Sequence, residues 1–149
     1  MSAKNRLRRG CIVSGPLVLA LLLGACAPVR PAAQPAAAPR VYFAEPQDGA
    51  TIAAPVKVVM AAENFMVEPA SEIVTPGHGH LHIMVDTDCV PAGQGVPKDD
   101  THLHFGKGQL EAELELAPGP HTLCLQAADG LHVALPGEGM TQTLAVTVE

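Results

Sequence analysis

The chain predicts an all-β fold, an antiparallel β-sandwich with an immunoglobulin-like outline. Apolar residues recur with period two in short runs, turn residues punctuate those runs, and no long stretch between residues 41 and 149 carries helical period. Residues 41–149 make one small domain's worth of chain, enough to bury a modest core.

Taken in order, Val56, Val58 and Met60 alternate around Lys57 and Val59. Residues 79–86 and 101–105 hold two histidine-bearing runs, in which Leu81, Ile83 and Val85, and then Leu103 and Phe105, supply an apolar face. Leu110, Ala112, Leu114 and Leu116 alternate with Glu111, Glu113 and Glu115, an expected solvated sheet surface. Leu123, Leu125 and Ala127 follow, and Leu144, Val146 and Val148 end the chain. Asp48-Gly49, Pro76-Gly77, Gly106-Lys107-Gly108 and Pro118-Gly119 mark turns, because Gly and Pro supply backbone angles that strands do not use. The Gly-Lys-Gly piece is short enough to close a hairpin between the second histidine run and the glutamate-faced strand. Residues 91–100 form the one long irregular stretch, expected as a flexible loop.

The N-terminal region has a different composition. Lys4, Arg6, Arg8 and Arg9 precede an apolar stretch over residues 11–23, too short for a stable membrane span, and Leu23-Gly24-Ala25-Cys26 looks like a bacterial lipobox. This reading makes residues 1–25 a lipoprotein signal peptide and Cys26 the lipidated first residue of the mature chain. The cell envelope is then its location, with Ala27 pointing to the outer membrane where the cell has one. An ordinary secretory signal or a membrane anchor is the competing reading of the same stretch. Residues 26–40 are almost wholly Ala and Pro, a semi-extended tether without the periodicity to build a core.

Cutting before Cys26 leaves five Lys and Arg against fifteen Asp and Glu. Nucleic acid and anionic membrane surfaces are poor partners for that charge, and cations are better ones. The cut also leaves Cys89 and Cys124, an even pair in a compartment that oxidises thiols. A disulfide is expected, the alternative being a thiolate that joins the histidines as a soft metal ligand.

Those histidines carry the chemistry. In Gly79-His80-Leu81-His82-Ile83-Met84-Val85-Asp86 the period of a strand places His80, His82, Met84 and Asp86 on one face, which His78 continues. In Thr101-His102-Leu103-His104-Phe105 it places His102 and His104 opposite Leu103 and Phe105. If the two runs pair, four imidazoles, His80, His82, His102 and His104, converge on one ion. All-imidazole sets suit copper or zinc, while hard cations want carboxylates, and Met84 on the same face tilts the choice toward copper. His121 and His132 are further candidates, and Asp86 either fixes an imidazole tautomer or ends the strand in a turn with Thr87 and Asp88. The competing reading is that these histidines are polar residues on the wet face of a sheet.

The blocks Gly79-His80-Leu81-His82-Ile83-Met84-Val85-Asp86-Thr87-Asp88, His102-Leu103-His104-Phe105-Gly106-Lys107-Gly108-Gln109 and Pro118-Gly119-Pro120-His121-Thr122-Leu123, with Asp129 and His132, resemble the bacterial secreted family called domain of unknown function 4399. The resemblance implies an exported β-rich domain and brings no established activity. Leu81 and Ala134-Leu135-Pro136 stand where the family pattern has further histidines, so any site rests on the four paired histidines plus His121 or His132.

Three functions compete on this reading. The first is an envelope lipoprotein that binds copper or zinc as a chaperone, buffer or delivery module. The second is a non-catalytic adhesion or assembly domain with structural or pH-responsive histidines. The third is a metal-dependent enzyme of dismutase-like architecture. The chain has no Gly-x-Ser-x-Gly, no His-Glu-x-x-His and no phosphate-binding glycine loop, so catalysis ranks last.

Overall fold

The structure, a computed structural model, describes residues 37–149. The stretch read above as a signal peptide, Cys26 and most of the Ala/Pro segment lie outside the described residues. Within them run β1 (Arg40–Glu45), β2 (Ala50–Ile52), β3 (Val56–Glu63), β4 (Met66–Val67), β5 (His78–Val85), β6 (His102–Phe105), β7 (Glu111–Leu114), β8 (Gly119–Ala128) and β9 (Thr141–Val148). A single 3-10 turn, Glu138–Met140, leads into β9. The fold is all-β. No helix among the described residues is long and apolar enough to cross a membrane.

Two sheets share one apolar core. The smaller has the order β1-β3-β7, and the larger β2-β9-β8-β5-β4, with β6 also paired to β5. The period-two runs fill the space between them: Val56, Val58 and Met60 come from β3, Leu81 and Ile83 from β5, Leu123 and Leu125 from β8, and Leu144, Val146 and Val148 from β9. Most of these side chains are wholly or almost wholly removed from water, at about 1.5–3 kcal/mol of hydrophobic stabilisation each.

The pairing is not purely antiparallel. β2 runs parallel to β9, and β4 parallel to β5. No two-residue turn joins either pair of partners, so no hairpin dictates their direction. The Gly106-Lys107-Gly108 hairpin does not form either: β6 pairs with β5 in the larger sheet, whereas β7 pairs with β3 in the smaller one. The turn therefore carries the chain from one sheet to the other. A local glycine signal reports a change of direction and cannot say which sheet receives the next strand.

The outer face of the larger sheet departs furthest from expectation. It is covered rather than wet over β5, buried from Gly79 to Met84, and over the second half of β8, buried from Leu123 to Ala128, whereas the outward residues of β9 and His104 of β6 stay exposed. Cys124 and Gln126 point outward from β8, opposite to Leu123 and Leu125. Cys124 is bridged to Cys89 with a Cα–Cα distance of 5.6 Å. Gln126 accepts the Val90 N–H at 2.9 Å and donates to the Val90 carbonyl at 2.7 Å. The stretch expected as a flexible loop is thereby tied down, and Gly93, Gln94 and Val96 go on to hydrogen-bond the backbone of His132 and Ala134. Buried backbone and amide groups find partners in this cover, as burial requires.

Candidate metal centre

Strand period and register build most of the site. On β5, His80 and His82 project outward at i and i+2, and the β5–β6 register sets His104 directly across from His82. The same register sets His102 across from Met84, one pair further along. His132 comes from the connection between β8 and β9, held against the loop that covers the sheet.

Four imidazoles meet there. Ring centroids lie 4.8 Å apart for His80 and His82, 4.9 Å for His80 and His104, and 4.7 Å for His80 and His132. His104 and His132 are also 4.7 Å apart, and His82 and His104 are stacked at 4.9 Å. The Nε2 atoms of His80 and His82 approach to 3.0 Å, and those of His104 and His132 to 3.1 Å. Ligand atoms of His80, His104 and His132 all fall within 4.8 Å of one another. Zinc–imidazole bonds of about 2.0–2.1 Å put neighbouring nitrogens of a tetrahedral set about 3.3 Å apart, a spacing near that of the two Nε2 pairs here, so the cluster could hold an ion.

The electrostatics favour the ligating form. Burial, reinforced by the neighbouring His132 and His104, lowers His80 to a pKa of about 4. Burial and the surrounding histidines lower His82 to about 3. His104 is lowered too, by burial first and then by His132 and Lys98. All three rings are therefore neutral at physiological pH, with a lone pair available to a metal. The Nδ1 atoms of His80 and His82 are buried without a hydrogen-bond partner among the described residues. With Nε2 facing Nε2 as well, hydrogen bonding alone leaves this pair incompletely satisfied.

The other candidates are placed elsewhere or differently used. His102 is not brought to the cluster: its Nδ1 is 2.7 Å from Asp99 Oδ1. Hydrogen bonds from His102 and Thr101 in turn hold the Asp99 carboxyl down at about 2. His121 lies between Asp86 Oδ2 at 2.7 Å and the Ala117 carbonyl at 2.8 Å, and those two acceptors, the carbonyl foremost, raise its pKa. Asp86 thus orients an imidazole, that of His121, while its Oδ1 accepts the Thr122 N–H. Burial opposes the Asp86 charge, yet these hydrogen bonds hold its pKa below the ordinary value. His78 reaches Glu68 at 3.0 Å. Met84 is fully buried on the histidine face. Cys89 and Cys124 bond each other, which leaves no thiolate from either for a metal.

Two contributors were not read from the sequence. Gly106 lies directly beneath the His104 ring, where a Cβ would collide with it. Asp129 shapes the turn that carries His132. The sequence signal for both was their place within the blocks that hold the histidines.

The profile of a protein family described as a domain of unknown function, DUF4399, matches residues 58–149. The chain belongs to the DUF4399 family. All four clustered histidines and both cysteines of the bridge fall within the DUF4399 match, which begins inside β3 and so leaves β1 and β2 outside it. No curated protein and no solved structure matches the chain.

Proposed function

We propose that this DUF4399 domain binds a transition-metal ion through His80, His104 and His132, with His82 as a fourth imidazole beside them. The observation that carries this reading is the convergence of three ligand nitrogens within 4.8 Å of one another. An all-imidazole ligand set selects copper or zinc over hard cations, and the acidic composition of the domain favours approach of a cation. The chain acts as an envelope lipoprotein, anchored through Cys26, that buffers, chaperones or delivers its ion.

Titration of the protein with Zn²⁺ and Cu²⁺ at neutral pH, against chelators of known affinity, tests the reading. One ion per chain with micromolar or tighter affinity is expected. Uptake of neither ion would reject it and return first place to an adhesion or assembly role.

A further inference from the structure

Three of the four rings are aimed by strand period, but His132 comes from a turn and needs a restraint of its own. Its backbone is left-handed, with φ of 64°, a region that side chains other than glycine seldom occupy unless the surroundings demand it. Asp129 supplies that demand. Its Oδ1 accepts the N–H of Leu131 at 2.9 Å and that of Val133 at 3.0 Å, the residues on either side of His132. The Asp129 N–H donates to the Val133 carbonyl, and the His132 N–H to the Asp129 carbonyl. The His132 carbonyl in turn accepts from Val96 of the covering loop. Gly130 sits so close to the Ser71 and Ile73 carbonyls that a Cβ there would strike them, which seats the turn against the rest of the domain.

We propose that Asp129 is a positioning residue for the metal centre, acting through its Oδ1 hydrogen bonds to present His132 to His80 and His104. This rests on the metal-binding reading above. It assigns Asp129 no ligand role: the convergent ligand set contains His80, His104 and His132. The Asp129 charge also faces His80, so the alternative is a purely electrostatic contribution. Asparagine separates the two, because its side-chain carbonyl accepts the same two N–H bonds without the charge.

The experiment compares wild type, Asp129→Asn, Asp129→Ala, His132→Ala and the double alanine variant by Zn²⁺ and Cu²⁺ competition titration. It adds an NMR measurement of the His104–His132 ring contact in the metal-free protein. Asp129→Asn should bind within about threefold of wild type and keep the contact, whereas Asp129→Ala should lose the contact and weaken binding by about tenfold or more. In the double variant the Asp129→Ala change should cost little beyond His132→Ala, since both act through one ring. Wild-type affinity in Asp129→Ala, or an asparagine variant as weak as the alanine one, would overturn the proposal. If the wild type takes up neither ion, the metal reading falls and the ring contact decides positioning: its survival in Asp129→Ala overturns it, and its loss there with retention in Asp129→Asn supports it.

Discussion

His104 and His132, 28 residues apart in sequence, bring their Nε2 atoms to within 3.1 Å of each other across the rim of the histidine cluster. One ring is delivered by strand register and the other by a turn held against a covering loop, so the site depends on both remaining in place.

Removal of single rings should separate the cluster from the other histidines. His80→Ala, His104→Ala and His132→Ala are each expected to weaken Zn²⁺ or Cu²⁺ binding by about a hundredfold, or ~2.7 kcal/mol. His102→Ala and His121→Ala, whose rings are engaged by Asp99 and Asp86, should stay within about threefold of wild type. Competition titration of the five variants checks this, and equal losses across all five would contradict it.

Acidification should destabilise the metal-free domain. His80 and His82 are held near pKa 4 and 3 in the folded state, against an ordinary value of 6.5 when unfolded. As pH falls below about 6.5 the unfolded chain takes up protons that the folded cluster refuses, so stability drops progressively down to the folded pKa values. His121 has the opposite sign: its raised pKa adds stability that is full at low pH and is lost as pH rises through its folded pKa. Thermal melts between pH 7.5 and 4.5 should fall by several degrees, and His80→Ala/His82→Ala should flatten the slope.

The Cys89–Cys124 bridge closes a loop of 35 residues, worth about 3–4 kcal/mol on the chain-entropy model. Reduction, or Cys89→Ser/Cys124→Ser, should shift the denaturation midpoint accordingly and loosen the segment that covers β5. Mass measurement after alkylation of unreduced protein should show neither of these thiols modified.

Gly106→Ala places a methyl group against the His104 imidazole, where the structure has no room for it. The exposed His104 ring must swing aside or the turn must shift. Metal affinity should fall while the β-rich circular dichroism spectrum is kept. Unchanged affinity would show that the turn gives way and the ring does not.

Cys26→Ser should abolish incorporation of labelled fatty acid and block cleavage of the signal segment in cells. Lipid labelling that persists in the variant would rule out Cys26 as the anchor.

The histidine strands, their apolar faces and the all-β class were legible because side-chain alternation is a local property of the backbone, visible in any run such as His80-Leu81-His82-Ile83. The Cys89–Cys124 pair was legible too, on the reading that gives Cys11 to a leader and Cys26 to an anchor and leaves these two to each other. Register was not local. Setting His82 opposite His104 leaves His102 beside Met84, and no feature of either histidine run alone specifies that offset. Nor could alternation report that the outer face is covered over β5 and the second half of β8, since that depends on Cys89 and Val90 folding back onto Cys124 and Gln126 across some 35 residues of chain. Residue type and local alternation name the side chains able to ligate and the faces they share. His132 takes the place expected for His102 because the long-range packing of a turn and a loop, rather than strand period, brings that ring to the cluster.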